Sequence, residues 1–160
     1  YLVYLHGILG ISSKTQEQRQ QGDVTMREIK YKAVNRKTGS IFQVQELSFR
    51  NPDNSIDTCY TNGVDFTSDA ELANLDDMIL LEYTNYRDSL GIEIYEGMVI
   101  YDTNFDTDGN NRVVIFENGA FYGKFVRNGY SMLLSELDLS GSWKVIGNIY
   151  TNPELSSHYI

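Results

Sequence analysis

Residues 91–101, Gly-Ile-Glu-Ile-Tyr-Glu-Gly-Met-Val-Ile-Tyr, constrain this chain more than any other stretch. Ile92 and Ile94, then Val99 and Tyr101, place apolar side chains at every second position, the mark of a half-buried strand. Glu96-Gly97 interrupts the two runs, and glycine accepts positive φ without steric cost, so a tight turn is expected there. A second such strand is expected far downstream at 143–150, with Trp143, Val145 and Ile149 on one face. It is followed by Asn152-Pro153, a cap and a first-turn proline for a short helical segment. The pattern predicts that Tyr95 and Ile149 belong to strands of one closed β core.

The rest of the chain has the same grain. Ile29, Tyr31 and Ala33 alternate with Glu28, Lys30 and Lys32, Asn35 to Gly39 reads as a turn, and Ile41 to Phe49 as the return strand. Phe42 and Val44 share one parity and Leu47 and Phe49 the other, which predicts a bulge near Gln45-Glu46. Residues 55–67 suit one or two short strands around Asn62-Gly63. Ser68-Asp69-Ala70-Glu71 has the form of a capping box, and Leu72, Leu75 and Ile79 follow at helical spacing, so one short helix is expected near 69–76. Met78 to Tyr83 reads as a buried strand. Arg112 to Phe116 and Ala120 to Val126 flank Asn118-Gly119, the strongest hairpin signal present. Asn128-Gly129 marks another turn, and Leu133 to Leu139 is a strand or one helical turn.

Three groups of these residues together resemble the YopX family of phage and prophage proteins. They are Met26-Arg27-Glu28-Ile29-Lys30-Tyr31-Lys32-Ala33, then Met78 to Thr84 with Ile94-Tyr95-Glu96-Gly97, and finally Val145 to Leu155. The resemblance spans about residues 26–155. Met98 stands where the family usually has Asp, and Thr84-Asn85-Tyr86 where it has Thr-Gly-Leu; both departures leave the strand pattern intact. The resemblance implies a mainly β fold, of the α+β kind, with an SH3-like β-roll or barrel in the C-terminal half. It implies a YopX-like domain over 26–155, divided into 26–77, a hairpin plus a short helix, and 78–155, the roll, with 156–160 as a tail. It implies no catalytic activity, cofactor or metal.

Residues 1–25 differ from the rest of the chain. Tyr1 to Ile11 is an apolar run too short to span a bilayer and without the preceding basic residue of a signal peptide. Gly22-Asp23 stands just before Met26, and its codons can spell a ribosome-binding site. The expectation is therefore that residues 1–25 are translated leader sequence; an N-terminal helix packed on the domain is the alternative.

Charge narrows the function classes. The net charge is −9, and residues 1–50 carry eight Lys and Arg against four Asp and Glu, whereas residues 51–160 carry five against 18. An acidic body repels phosphate backbones. Only the hairpin bearing Arg27, Lys30, Lys32, Arg36 and Lys37 could dock nucleic acid, with Tyr31 and Phe42 as stacking groups. The single cysteine, Cys59, can form no internal disulfide, fits a reducing cytoplasm and reads as a small buried hydrophobe. The histidines, His6 and His158, lie near the two ends, so no nucleophile–base order is available. The acid pairs Asp76/Asp77 and Asp106/Asp108 read as solvated surface, and Glu96 as a turn residue bonding backbone amides. Asn104, Asp106, Asp108 and Gly109 match the first half of a calcium loop, but Ile115 stands where its bidentate Glu belongs.

No residue is therefore assigned as catalytic, cofactor-binding or metal-binding. The leading expectation is a non-catalytic cytoplasmic accessory protein of phage or prophage origin, not membrane-bound, acting by contact with itself as a homo-oligomer or with another phage or host protein. Nucleic-acid binding by hairpin 27–37 and a carboxylate-based enzyme are the two alternatives.

Overall fold

A computed structural model describes residues 27–68, 70–71, 73–105 and 110–156. Two antiparallel sheets account for nearly all of the regular structure. The first is built from β1 (Tyr31–Asn35), β2 (Ile41–Ser48), β3 (Thr58–Thr61), β4 (Phe66–Thr67), β5 (Met78–Arg87) and β6 (Glu93–Tyr95), in the order β4-β3-β2-β1-β5-β6. The second contains β7 (Met98–Asp102), β8 (Arg112–Glu117), β9 (Ala120–Phe125), β10 (Ser131–Leu133) and β11 (Trp143–Asn148), in the order β10-β9-β8-β7-β11.

Local chemistry explains most of these strands. The β1–β2 turn closes with Gly39 at φ 72° and its N–H donating to the Asn35 carbonyl. The β2–β3 register shifts between Val44 and Glu46, where the change of parity predicts a bulge. Asn118 and Gly119, at φ 50° and 82°, make the tight β8–β9 hairpin, because both central residues of such a turn need positive φ. Asn62-Gly63 sits in a wider loop, held by Thr61 Oγ1 donating to Val64 O and by Asp65 Oδ1 accepting from Thr61 N.

The central stretch departs from expectation. Glu96-Gly97 does turn, with Gly97 at φ 75°, but β6 and β7 are not hairpin partners. β6 pairs with β5 in the first sheet, whereas β7 pairs with β8 and β11 in the second. The turn is the crossover between sheets. Its backbone is pinned on both sides: Glu96 N donates to Glu82 O (3.0 Å), Gly97 N to Val114 O (2.8 Å), and Gly97 O accepts from Ile149 N (3.0 Å). Tyr95 and Ile149 therefore do not share one closed core. Tyr95 ends β6, Ile149 comes just after β11, and the two sheets stay open rather than closing into an SH3-like barrel. The reason lies in β5, whose first half is taken by β1 in a continuous ladder from Tyr31↔Glu82 to Asn35↔Met78.

Simple alternation fails here for the same reason. Ile94 packs with Ile100, Val114, Leu134, Leu139 and Trp143, while its neighbour Tyr95 packs with Val34, Leu81 and Tyr83. Both faces of β6 are covered, and Ile92, expected inward, is exposed.

The helix expected near 69–76 falls partly on residues 69 and 72, outside the described residues. The described ones form a parallel bridge, Thr67↔Asn74, and a 3-10 turn at Leu75–Asp77. Asn74, rather than Ser68, supplies the cap, its Oδ1 accepting from Asp76 N at 2.9 Å. Further 3-10 turns occupy Leu134–Glu136 and Pro153–Ser156, the latter starting at proline as expected. Among the described residues no helix is long and apolar enough to cross a membrane.

Candidate functional site: a groove between the sheets

A concavity lies where the far end of β5 faces the β8–β9 hairpin. It has a volume of about 490 Å³. One wall exists because β5 breaks its ladder with β6: the register shifts between Tyr83 and Arg87. Within that break, buried Thr84 donates through Oγ1 to Ile94 O (2.7 Å) and accepts from Tyr86 N (3.2 Å). Asn85 takes φ 66°, a conformation glycine adopts most easily, and its Oδ1 accepts from Glu28 N (2.8 Å). A bulge of this kind re-aims side chains, and Tyr86 is turned outward into the groove.

The opposite wall is the β8–β9 hairpin and the chain just beyond it. Phe116 and Phe121, cross-strand partners, tilt together with centroids 5.0 Å apart, and Gly119, Ala120, Leu133 and Ser135 complete the surface. Among the described residues, Arg27 is the only charged side chain in the lining. It forms an ion pair with Glu82 and places its guanidinium 5.9 Å from the Phe121 ring centre. Glu96 stands outside this lining; burial, the largest effect, raises its pKa, and a backbone hydrogen bond from Phe116 opposes the rise. Glu82 adds a smaller upward push. The expected role of Glu96, a turn acid bonding backbone amides, is what the structure shows.

Aromatic and aliphatic side chains dominate the lining, with the hydroxyls of Thr84, Tyr86 and Ser135, the Asn85 amide and the Arg27 cation among them. Among the described residues, no group of three or more His, Cys, Asp or Glu is placed to hold a metal ion.

The residues singled out from sequence are distributed as follows. Of the basic hairpin, Arg27 pairs with Glu82, Lys30 with Glu28 and Glu93 (2.9 and 2.7 Å), and Lys37 with Asp77 (2.5 Å). Lys32 lies 4.4 Å above the Tyr95 ring, where burial lowers its pKa. Arg36 is exposed, and its charge opposes the rise that burial imposes on the Tyr150 phenol. Phe42, partly buried, meets Phe66 edge-on at 6.2 Å and packs against the cluster of Ala33, Cys59, Phe66 and Ala73. Cys59 is fully buried, and burial pushes its thiol up to about 11, with Asp65 adding to the shift. Asp76 and Asp77 sit in the 3-10 turn after Asn74. Ile115 lies in β8, and strands rather than helices flank the acidic loop. Asp106, Asp108, Gly109, His6 and His158 lie outside the described residues, as does the segment expected to be leader.

Three features escape sequence reasoning. Tyr86 and Phe116 become groove walls only once β5 and β8 face one another. Asp88 is buried at 3% exposure and clamps the sheets together: Oδ1 accepts from Leu90 N and Ile92 N (2.8 Å each), and Oδ2 from Val145 N in β11 (2.9 Å). Arg112 is buried with its guanidinium 3.8 Å from the Phe125 ring centre and 5.0 Å from that of Trp143, its Nε unpartnered. The one sequence signal for the groove is Thr84-Asn85-Tyr86, a turn-type residue inside an apolar run.

The family model for YopX protein matches residues 30–156, most of the chain and all of both sheets. The chain belongs to the YopX family. Among solved structures it is similar to protein EF1440 from Enterococcus faecalis, at 18% identity and a TM-score of 0.64, with 82% of this chain and 99% of that one covered. It is also similar to protein yopX from Bacillus subtilis, at 18% identity and a TM-score of 0.49, covering 79% of this chain and 94% of that one. At that identity the likeness to EF1440 speaks for a shared fold alone. No curated protein matches.

Proposed function

We propose that this YopX-family chain is a non-catalytic accessory protein of phage or prophage origin, working in the bacterial cytoplasm by protein–protein contact through the groove between its sheets. One observation carries the proposal: the groove is walled by Tyr86, Phe116, Phe121 and Leu133, with no acid, histidine or thiol in its lining among the described residues. A pocket for catalysis needs a nucleophile or proton carrier beside a partner that tunes it, and the Thr84, Tyr86 and Ser135 hydroxyls have no acid or imidazole among the described lining residues to activate them. A pocket for contact needs aromatic area and a polar rim. The lone cysteine, buried and with its thiol pKa raised, supports the non-catalytic reading.

Nucleic-acid binding has less support. Arg27, Lys30 and Lys37 of the hairpin are paired with acids, and Phe42 packs partly buried against the Phe66 cluster. The test is a selection of displayed peptides on the full chain, counter-selected on a Phe116→Ser variant. Peptides that need Phe116 and that shift the backbone amide resonances of Gly119 and Ala120 are expected. Equal recovery on both proteins, or retention of DNA or RNA on filters at low salt, would overturn the proposal.

A further inference from the structure

Resting on the groove as a contact surface, we propose that its occupant is the β8–β9 hairpin tip of a second copy of this chain, in a two-fold contact. The same patch carries both halves of the fit. Phe116 stands at the groove wall and is 45% exposed, so it can serve as an apolar plug as well as a lining residue. The next residue, Glu117, is exposed, and its side chain makes no hydrogen bond or ion pair among the described residues. The tip is stiffened by the Asn118-Gly119 turn, so docking it orders little new backbone. On the receiving side Arg27 is, among the described residues, the one charged lining residue, and it is cationic. Its contact with Glu82 runs through one terminal nitrogen and its side chain is 54% exposed, so other donors of the guanidinium fork stay open. A two-fold interface requires that a surface be complementary to itself. Here Phe116 of each copy meets the aromatic wall of the other, and Glu117 of each meets Arg27 of the other.

Two copies, each with a net charge of −9, repel at long range, and the two matched Glu117–Arg27 pairs and two buried phenylalanines act against that repulsion at contact.

The experiment uses sedimentation velocity on the full chain from micromolar to millimolar concentration, with two variants that swap charge at exposed positions, Glu117→Arg and Arg27→Glu. Wild type is expected to dimerise. Each variant alone faces like charges across the two-fold axis, and its dissociation constant should rise at least about tenfold, equivalent to about 1.4 kcal/mol. When the two variants are mixed in equal amounts, the introduced arginine of one copy faces the introduced glutamate of the other, and the native Arg27 faces the native Glu117. A heterodimer near wild-type affinity should return. Phe116→Ser should abolish self-association without touching charge. A wild-type monomer throughout the range, or a mixture no tighter than its components, overturns the second-copy contact. If the wild type is monomeric and peptides still compete for Phe116, contact through the groove survives; if nothing binds there, both readings fall.

Discussion

Asp88 gives the sharpest test of how the two sheets are held. It sits between β5 and β6 of the first sheet, yet Oδ2 reaches Val145 in β11 of the second, while Ser89 N donates to Trp143 O (3.0 Å). A hydrogen bond to a charged group contributes about 1.5–3 kcal/mol. Asp88→Ala removes three, but Leu90 and Ile92 are exposed, so their amides recover water and only the Val145 bond is lost at nearly full cost. The net loss should be about 2–3 kcal/mol, a large share of a typical total of roughly 5–15 kcal/mol. Asp88→Asn should cost less, about 2 kcal/mol, because one carboxylate oxygen becomes a donor facing a donor. Trp143, the only tryptophan, lies beside the clamp and reports the transition in urea by its fluorescence. Loss of the clamp also bares the outer edge of β11, so the alanine variant should self-associate on warming. An Asp88→Ala protein within about 1 kcal/mol of wild type would refute the idea that this carboxylate joins the sheets.

Other substitutions probe the same architecture. Gly97→Ala forces an L residue to φ 75° and puts a Cβ 2.8 Å from the Tyr150 ring, so it should cost about 2–3 kcal/mol in urea unfolding. Arg112→Met, which fills the slot between Phe125 and Trp143 without an orphaned Nε, should be neutral or stabilising, while Arg112→Ala should cost about 2–4 kcal/mol through the void it leaves; equal losses for the two would point to an essential charge. Glu96 has its pKa raised mainly by burial, so the native state holds the proton more tightly than the unfolded chain, and this group's contribution falls as pH rises through the native value. Glu96→Gln should therefore gain stability over wild type at neutral pH and lose that advantage near pH 4; urea midpoints that run parallel at both pH values would contradict this.

The legibility of the chain tracks the range of the forces involved. The β1–β2 turn, the bulge near Gln45, the Asn118-Gly119 hairpin and the proline-led last turn are all readable, because each is fixed by φ preferences and side-chain parity within a few residues. The 69–76 segment defeats the same reading because Asn74 competes for the cap and β1 captures the chain from Met78 onward. Burial of Cys59 is legible from residue type. The Asp88 clamp is not, since its third donor lies 57 residues away.

The family, the β class and most of the turns are legible from the order of residues, since glycine, asparagine and alternating apolar side chains act through local geometry. Long-range contacts, by contrast, make Glu96-Gly97 carry the chain from one sheet to another rather than fold it back. That choice depends on which distant carbonyls, Glu82 and Val114, accept the turn's amides. The groove is its consequence. Tyr86 and Phe116 are ordinary strand-end aromatics until that crossover sets two open sheets face to face, and no spacing along the chain encodes their meeting.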